Sequence, residues 1–276
     1  MTPHSRMEYL FFARTDCGRV RKNNEDAVAT APGIGLALLA DGMGGYNAGE
    51  VASNMAITIT EHAMARWFAQ AGTSPAASDV RKALQESVQE ANLAVLNTSL
   101  QQPQCAGMGT TLVAGVFVDN RLVLGHMGDS RCYRLRGGQL QQITRDHSWL
   151  QEQMDAGLMT PEEAAQSGNG NLVTRALGVE EGTAMEINEF QVEPQDLFLL
   201  CSDGLTDMMD DHELLMLAST PVSLEEKANL LIDTANTFGG RDNISVVLVQ
   251  AHAENRKRGL ISRFLDKTPD FFSHHK

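Results

Sequence analysis

Apolar residues along this chain fall into two rhythms. Short continuous runs such as Leu36-Ala37-Leu38-Leu39-Ala40, Leu197-Phe198-Leu199-Leu200-Cys201 and Ile244 to Val249 are long enough for one buried strand and too short for most helices. Tyr9 to Ala13 predicts a first strand, and Gly18 to Asp26 follows as a polar segment. Thr110 to Val118 is rich in β-branched residues, Asp119-Asn120 is a two-residue turn signal, and Arg121 to Met127 returns as its partner. Cys132 to Leu135, Gly137-Gly138 and Leu140 to Ile143 predict a second hairpin, so this region reads as an antiparallel meander. Strands are also expected at Asp196 to Cys201 and Asp242 to Gln250.

The second rhythm is helical. Ala48 to about Gln70 is rich in Ala, Met and Ile with few breakers and predicts a buried helix. Ser78 can cap a second helix from Asp79 to about Leu100, which carries Val80, Leu84, Val88, Ala91 and Val95 on one face. Asp210 to Ser219 and Ser223 to Phe238 predict two more. The last is opened by the capping box Ser223 to Glu226 and stopped by Gly239-Gly240. Between Asp146 and about Gly182 the chain is polar and glycine-spotted. It holds a helix start at Thr160-Pro161-Glu162-Glu163 and a mobile loop at Ser167-Gly168-Asn169-Gly170-Asn171, and reads as a flap inserted beside a site. Runs of strands and paired helices, without strict βαβ alternation or an internal repeat, indicate an α+β fold with helices outside antiparallel sheets.

Composition narrows the function. The 276 residues suit one large domain or two small ones with an ample core. The formal net charge of -13 argues against general nucleic-acid binding and fits a protein that gathers carboxylates for cations. Cys17, Cys105, Cys132 and Cys201 are scattered without a Cys-x-x-Cys pair, which disfavours a zinc knuckle or a disulfide framework and suggests reduced thiols in a cytoplasmic protein. No apolar run approaches the roughly 20 residues of a membrane span, and Tyr9 to Ala13 is too short for a signal-peptide core.

Acids stand at the ends of the apolar runs. Asp41-Gly42 closes the first, Asp203-Gly204 follows Cys201, Asp129 follows Gly125-His126-Met127-Gly128, and Asp242 precedes the last. Carboxylates brought together need a counter-charge, from arginine or a divalent cation. Oxygen-only ligands favour Mg²⁺ or Mn²⁺. Gly42 leaves room for a backbone carbonyl to turn toward a cation, and two ions a few ångströms apart can ionise a bridging water. Each Asp-Gly by itself is equally well an ordinary turn.

Taken together, Arg21-Lys22-Asn23-Asn24-Glu25-Asp26, Asp41-Gly42-Met43-Gly44-Gly45, Gly109-Thr110-Thr111, Gly128-Asp129-Ser130-Arg131, Asp203-Gly204-Leu205-Thr206-Asp207 and Asp242-Asn243 stand in an order that resembles the metal-dependent protein phosphatases of the PPM or PP2C type, bacterial serine/threonine branch. The resemblance runs from about Gly18 to Val249. It implies an antiparallel β-sandwich flanked by helix pairs, a four-layer α-β-β-α arrangement, over residues 8–253, with the flap at about 146–182 and a basic tail at 254–276. It implies hydrolysis of phosphoserine and phosphothreonine in proteins by metal-activated water, opposing a bacterial serine/threonine kinase. Asp41 would bridge two Mn²⁺ or Mg²⁺ ions. Asp203 and Asp242 would bind one of them and the Gly42 carbonyl the other. Asp129 with Asp203 would form a third site, Glu25 and Asp26 would hold metal-bound waters or polar contacts around the ligands, and Arg21 would hold the substrate phosphate. The expected partners are phosphoproteins and a cognate kinase, and a monomer is expected.

Other chemistries fit less well. Cys105 has Thr111 where a Cys-x5-Arg phosphatase needs arginine, Asp-x-Asp is absent at Asp41 and Asp203, and Gly42-Met43-Gly44-Gly45 lacks the Lys-Ser/Thr of a P-loop. Many eukaryotic relatives have His where Met43 stands, so the general acid is open. His126 and His147 are candidates by residue type only and read better as structural, His147 as an anchor for the flap. A phosphoprotein-binding module without turnover, or a metal-stabilised scaffold docking through its tail, are the rival readings. In the tail, Leu260, Ile261, Phe264 and Leu265 share a helical face beside Arg263 and Lys267. Packing on its own domain, or disorder, is favoured there over contact with an anionic membrane or a partner groove.

Overall fold

The computed structural model describes residues 7–45, 48–72, 74–165, 167, 172–182 and 184–254. Among them the strands are β1 (Met7–Asp16), β2 (Asp26–Ala31), β3 (Leu36–Met43), β4 (Gly109–Thr110), β5 (Leu112–Val118), β6 (Arg121–Met127), β7 (Arg131–Arg136), β8 (Gln139–Gln142), β9 (Glu186–Gln191), β10 (Leu197–Cys201) and β11 (Ile244–Ala253). The helices are α1 (Ala48–Ala71), α2 (Ala77–Gln101), α3 (Trp149–Asp155), α4 (Pro161–Ala165), α5 (Asp203–Thr206), α6 (Asp211–Ala218) and α7 (Leu224–Thr237). One sheet runs β1-β11-β10-β7-β8 and the other β2-β3-β5-β6-β9, with β4 on the end of β3. The strand pairs are antiparallel.

The apolar runs are continuous because both faces of the strands are covered. In β3, Leu36, Leu38 and Ala40 pack with Met64 of α1 and Leu84 of α2, while Ala37 and Leu39 join the layer between the sheets. In β10, Leu197, Leu199 and Cys201 pack with Leu214 of α6 and Leu231 of α7, while Phe198 and Leu200 point into that same middle layer. The period of two in a strand thus sorts one run into two cores. Each fully buried Leu, Val or Phe contributes roughly 1.5–3 kcal/mol, enough to hold four layers in register. The expected α-β-β-α sandwich is the observed fold.

Several local expectations hold. The face of α2 bearing Val80, Leu84, Val88, Ala91 and Val95 is buried. The Thr160–Glu163 box is reciprocal, with Thr160 N–H on Glu163 Oε2 at 2.8 Å and Glu163 N–H on Thr160 Oγ1 at 3.2 Å. Ser223 and Glu226 form the second box. Asp119 takes φ +51° between the paired ends Val118 and Arg121.

Others are corrected. Ser78 is not a cap: α2 begins two residues earlier than expected, after Ala76, which has no capping side chain. The meander is split, because β6 and β7 lie in different sheets and the chain crosses between them at Gly128-Asp129-Ser130. Two strands went unread. Asp-Ala-Val-Ala-Thr-Ala in β2 is too small-chained to register as an apolar run, and β9 is an edge strand with Ile187 as its one fully buried side chain. Asp41-Gly42-Met43 is not a turn after the strand but its last part, because Asp26 pairs with Asp41 and β4 continues the ladder on Gly42 and Met43. Most of the loop predicted at 167–171 and the tail helix predicted around 260–267 lie outside the described residues. No helix among the described residues is long and apolar enough to cross a membrane.

Candidate active site

The same ladders that build the sandwich carry the acids to one end of it. Asp41 sits late in β3 with Asp26, the first residue of β2, directly opposite. Asp129 occupies the crossing between the sheets, Asp203 opens α5 immediately after β10, and Asp242 precedes β11. A cleft of about 220 Å³ is lined by Arg21, Glu25, Asp41, Gly42, Met43, Gly44, Thr111, Asp129, Val173, Asp203, Asp242 and Asn243. Of the residues expected to hold metal or phosphate, Arg21, Glu25, Asp41, Gly42, Asp129, Asp203 and Asp242 line this cleft, and Asp26 lies behind it.

Asp26 shows what the arrangement costs. Its side chain is buried, Oδ2 accepts from Ser202 Oγ at 2.8 Å, and Oδ1 has no hydrogen-bond partner. Burial pushes its carboxyl up to about 6, against bonds from Ser245 and Ser202 that favour the charged form. Burial likewise raises Asp129 to about 6, with Asp146 adding repulsion. Asp41 is pushed well above the ordinary carboxylate range by burial and then by Asp26, Asp203, Asp129 and Asp242. Asp203 is raised in the same way, by burial and then by Asp129, Asp207 and Asp242. Buried like charges that raise one another in this way call for a cation. The donors are hard oxygens, suited to Mg²⁺ or Mn²⁺ and not to a thiolate-seeking metal. The residues present therefore fit divalent ions. Arg21 supplies part of the counter-charge, with Nη2 2.6 Å from Asp242 Oδ2.

Two residues that carried no assigned role hold the acids in place. Asn243 Oδ1 accepts from Glu25 N–H at 2.8 Å, and its amide donates to the carbonyls of Cys17 (3.0 Å) and Asn23 (2.9 Å). It ties the loop carrying Arg21 and Glu25 to the strand behind Asp242. Thr111 Oγ1 accepts from Asp41 N–H at 2.9 Å and bonds Ser130 Oγ at 2.7 Å, joining β3 to the crossing at Asp129. The available signal was a polar side chain directly before an apolar run, Thr111 before Leu112 and Asn243 before Ile244.

Gly42 also has a packing role. Its φ is ordinary, but a Cβ there would stand 2.0 Å from the Gly49 carbonyl oxygen and 2.6 Å from that of Glu25. The first turn of α1 presses directly on the strand. Gly42→Ala is expected to destabilise the protein by at least about 1–3 kcal/mol through overpacking. Gly45→Ala, where nothing lies within 4 Å, should change little. Thermal unfolding of the two variants side by side checks this.

The histidines do not line the cleft. His126 and His147 stack with centroids 4.2 Å apart. His147 Nδ1 accepts from Gly128 N–H at 3.2 Å, and the backbone N–H of His147 donates to the Gly128 carbonyl at 2.9 Å. With Nδ1 an acceptor, the ring proton of neutral His147 sits on Nε2, 3.4 Å from Glu186. Burial pushes His126 down to about 4, helped by His147. Arg131 grips Asp146 with two nitrogens, at 2.7–3.0 Å. The start of the flap is thus anchored to the loop that carries Asp129, the structural role expected of His147. Met43 does line the cleft and has no proton to give.

Comparison with known proteins returns phosphatases. The family model described as Protein phosphatase 2C matches residues 15–234. The chain is 36% identical over 248 residues to the serine/threonine phosphatase stp of Listeria monocytogenes, covering 89% of this chain and 97% of that one. It is 41% identical over 239 residues to the serine/threonine protein phosphatase PstP of Mycobacterium tuberculosis, covering 86% of this chain and 44% of that one. The crystal structure of the catalytic domain of PstP in complex with two manganese ions superposes with a TM-score of 0.79 at 39% identity, covering 89% of this chain and 99% of that one.

Proposed function

The chain belongs to the protein phosphatase 2C family and is a serine/threonine protein phosphatase; from that premise we propose that its acidic cleft holds two Mn²⁺ or Mg²⁺ ions and that water attacks the phosphorus of phosphoserine or phosphothreonine directly. In this reading the enzyme opposes a serine/threonine kinase, acts in the cytoplasm and works as a monomer. The catalytic domain spans 8–253 with its flap at about 146–182, and 254–276 is a basic tail. One observation carries the proposal: Asp41, Asp129, Asp203 and Asp242 come from four separate segments and line a single small cleft.

Asp41 would bridge the two ions, Asp203 and Asp242 would complete one, and the Gly42 carbonyl the other. Asp129 and Asp203 would hold a third. Glu25 lines the cleft and Asp26 supports Asp41 from behind, matching roles around the ligands. When bound, the ions supply Lewis acidity, which withdraws charge from the phosphoryl oxygens and brings the pKa of attacking water toward neutrality. Arg21 does the positioning. Its guanidinium now rests on Asp242, and neutralising that carboxylate frees the same fork to hold two phosphoryl oxygens. Thr111 fixes Asp41 to the crossing beside Asp129, and Asn243 fixes Glu25 to the strand behind Asp242. Neither histidine lines the cleft, so neither is placed to protonate the leaving alcohol.

The purified protein should hydrolyse a phosphothreonine peptide in Mn²⁺ and stop when EDTA is added. Binding of the peptide with no product, even in a single turnover with excess enzyme and Mn²⁺, would instead make it a phosphoprotein-binding module.

A further inference from the structure

The chain carries 35 acidic against 22 Lys and Arg residues, yet the two turns that bring Arg21 and Asp242 to its cleft carry four cations. Arg19, Arg21, Lys22 and Arg241 are all exposed. They belong to two turns that lie against each other. Arg19 N–H donates to the Gly240 carbonyl at 2.7 Å, and the Arg19 side chain covers Gly240, its Cγ 2.9 Å from where a Cβ would stand. Arg21 reaches across the same seam to Asp242. Elsewhere the exposed arginines Arg66 and Arg145 are matched to carboxylates. Arg19, Lys22 and Arg241 make no ion pair within 4 Å among the described residues. Asp16 and Asp207 feel Arg19 and Arg241 electrostatically, but no hydrogen bond or ion pair among the described residues takes up either guanidinium.

Three exposed cations held beside an acidic cleft, on a molecule otherwise dominated by acids, suit an anion that arrives from outside. We propose that this rim binds an anionic group flanking the phosphorylated residue, a carboxylate or a second phosphate, so that the preferred substrates are phosphopeptides with acidic flanks. The proposal rests on the phosphatase reading above and adds to it a substrate class and three residues, Arg19, Lys22 and Arg241, that set specificity without touching the reacting phosphate. Basic flanks are disfavoured by the same charges.

The test compares kcat/KM of the Mn²⁺-loaded full chain on phosphothreonine peptides flanked by Glu, Ala or Lys, with a doubly phosphorylated peptide and p-nitrophenyl phosphate alongside. Exposed charge pairs are individually weak, and three together predict about a tenfold preference for Glu over Lys flanks. The preference should shrink in high salt. In the triple variant R19A/K22A/R241A it should fall to within about twofold, while p-nitrophenyl phosphate, which has no flanks, is hydrolysed at nearly the native rate. Equal rates on all peptides, or a preference that survives the triple variant, overturns the proposal. Selection of the doubly phosphorylated peptide but not the Glu peptide assigns the rim to phosphate. If no phosphoester is hydrolysed at all, it is the catalytic reading that fails; fluorescence anisotropy of the same peptides then still reports whether the rim selects acidic flanks.

Discussion

Asp203→Asn should lose roughly three orders of magnitude in kcat/KM while its metal-free form becomes more heat-stable than the native chain. The loss follows from the position of Asp203, in the cleft between Asp129 and Asp242, where the proposed ions share it. A cation supplies several kcal/mol of transition-state charge stabilisation, and each 1.4 kcal/mol is about tenfold in rate. The gain in stability has the opposite origin. Without a cation, Asp203 is a buried carboxylate facing Asp129, Asp207, Asp242 and Asp26. The amide keeps the shape and removes one charge from that repulsion. The pair of readouts separates mechanism from misfolding, because a variant that simply unfolds loses both. An unchanged rate would remove Asp203 from the chemistry, and a large fall in the metal-free melting temperature would show that its charge is not a strain on the fold.

The second large effect is the response of the metal-free protein to pH. Asp26 and Asp129 are raised from 3.8 to about 6, and Asp41 and Asp203 are raised as well. A carboxyl whose folded pKa lies above its unfolded value binds more protons when folded. Its stabilising contribution is complete below 3.8 and is lost as pH climbs through the folded value. His126 works the other way: its pKa falls from 6.5 to about 4, so it adds stability as pH rises over that interval. Four raised carboxyls outweigh that one histidine between pH 5 and 6.5, where Asp26 and Asp129 lose their protons, and above 6.5 the opposing contribution is spent. Metal-free protein should therefore melt at lower temperature at pH 7 than at pH 5. One pH unit per carboxylate is about 1.4 kcal/mol, or about 2–4 °C for a chain of this size. Mn²⁺ should remove the slope by taking the place of the protons. Calorimetry of metal-free and Mn²⁺-loaded samples across that range decides it. A flat metal-free profile would mean that the carboxylates are not in conflict.

Much of the scaffold was legible because its signals are local. A capping box such as Thr160–Glu163 involves four consecutive residues, a hairpin such as Val118–Arg121 is declared by its two turn residues, and the buried face of α2 repeats every turn. None of these depends on what the element meets. The motif acids were legible for the same reason, each standing at the end of a run where the core stops. β2 and β9 escaped because their residues are too small or too polar to advertise burial, and their pairing partners supply what their own side chains lack.

By itself, then, the chain determined which stretches are extended or helical, which faces are apolar and which acids stand at the mouths of strands. Tertiary structure alone decided that β6 and β7 part into different sheets with Asp129 at the crossing, that α1 presses on Gly42, that Asn243 ties two distant loops together, and that Arg21 rests on Asp242. The physical reason is that hydrophobic periodicity records how much of a residue is buried but not against what. Distances between carboxylates are set by strand register and by the contacts of remote backbone, and those arise only when the two sheets close on each other.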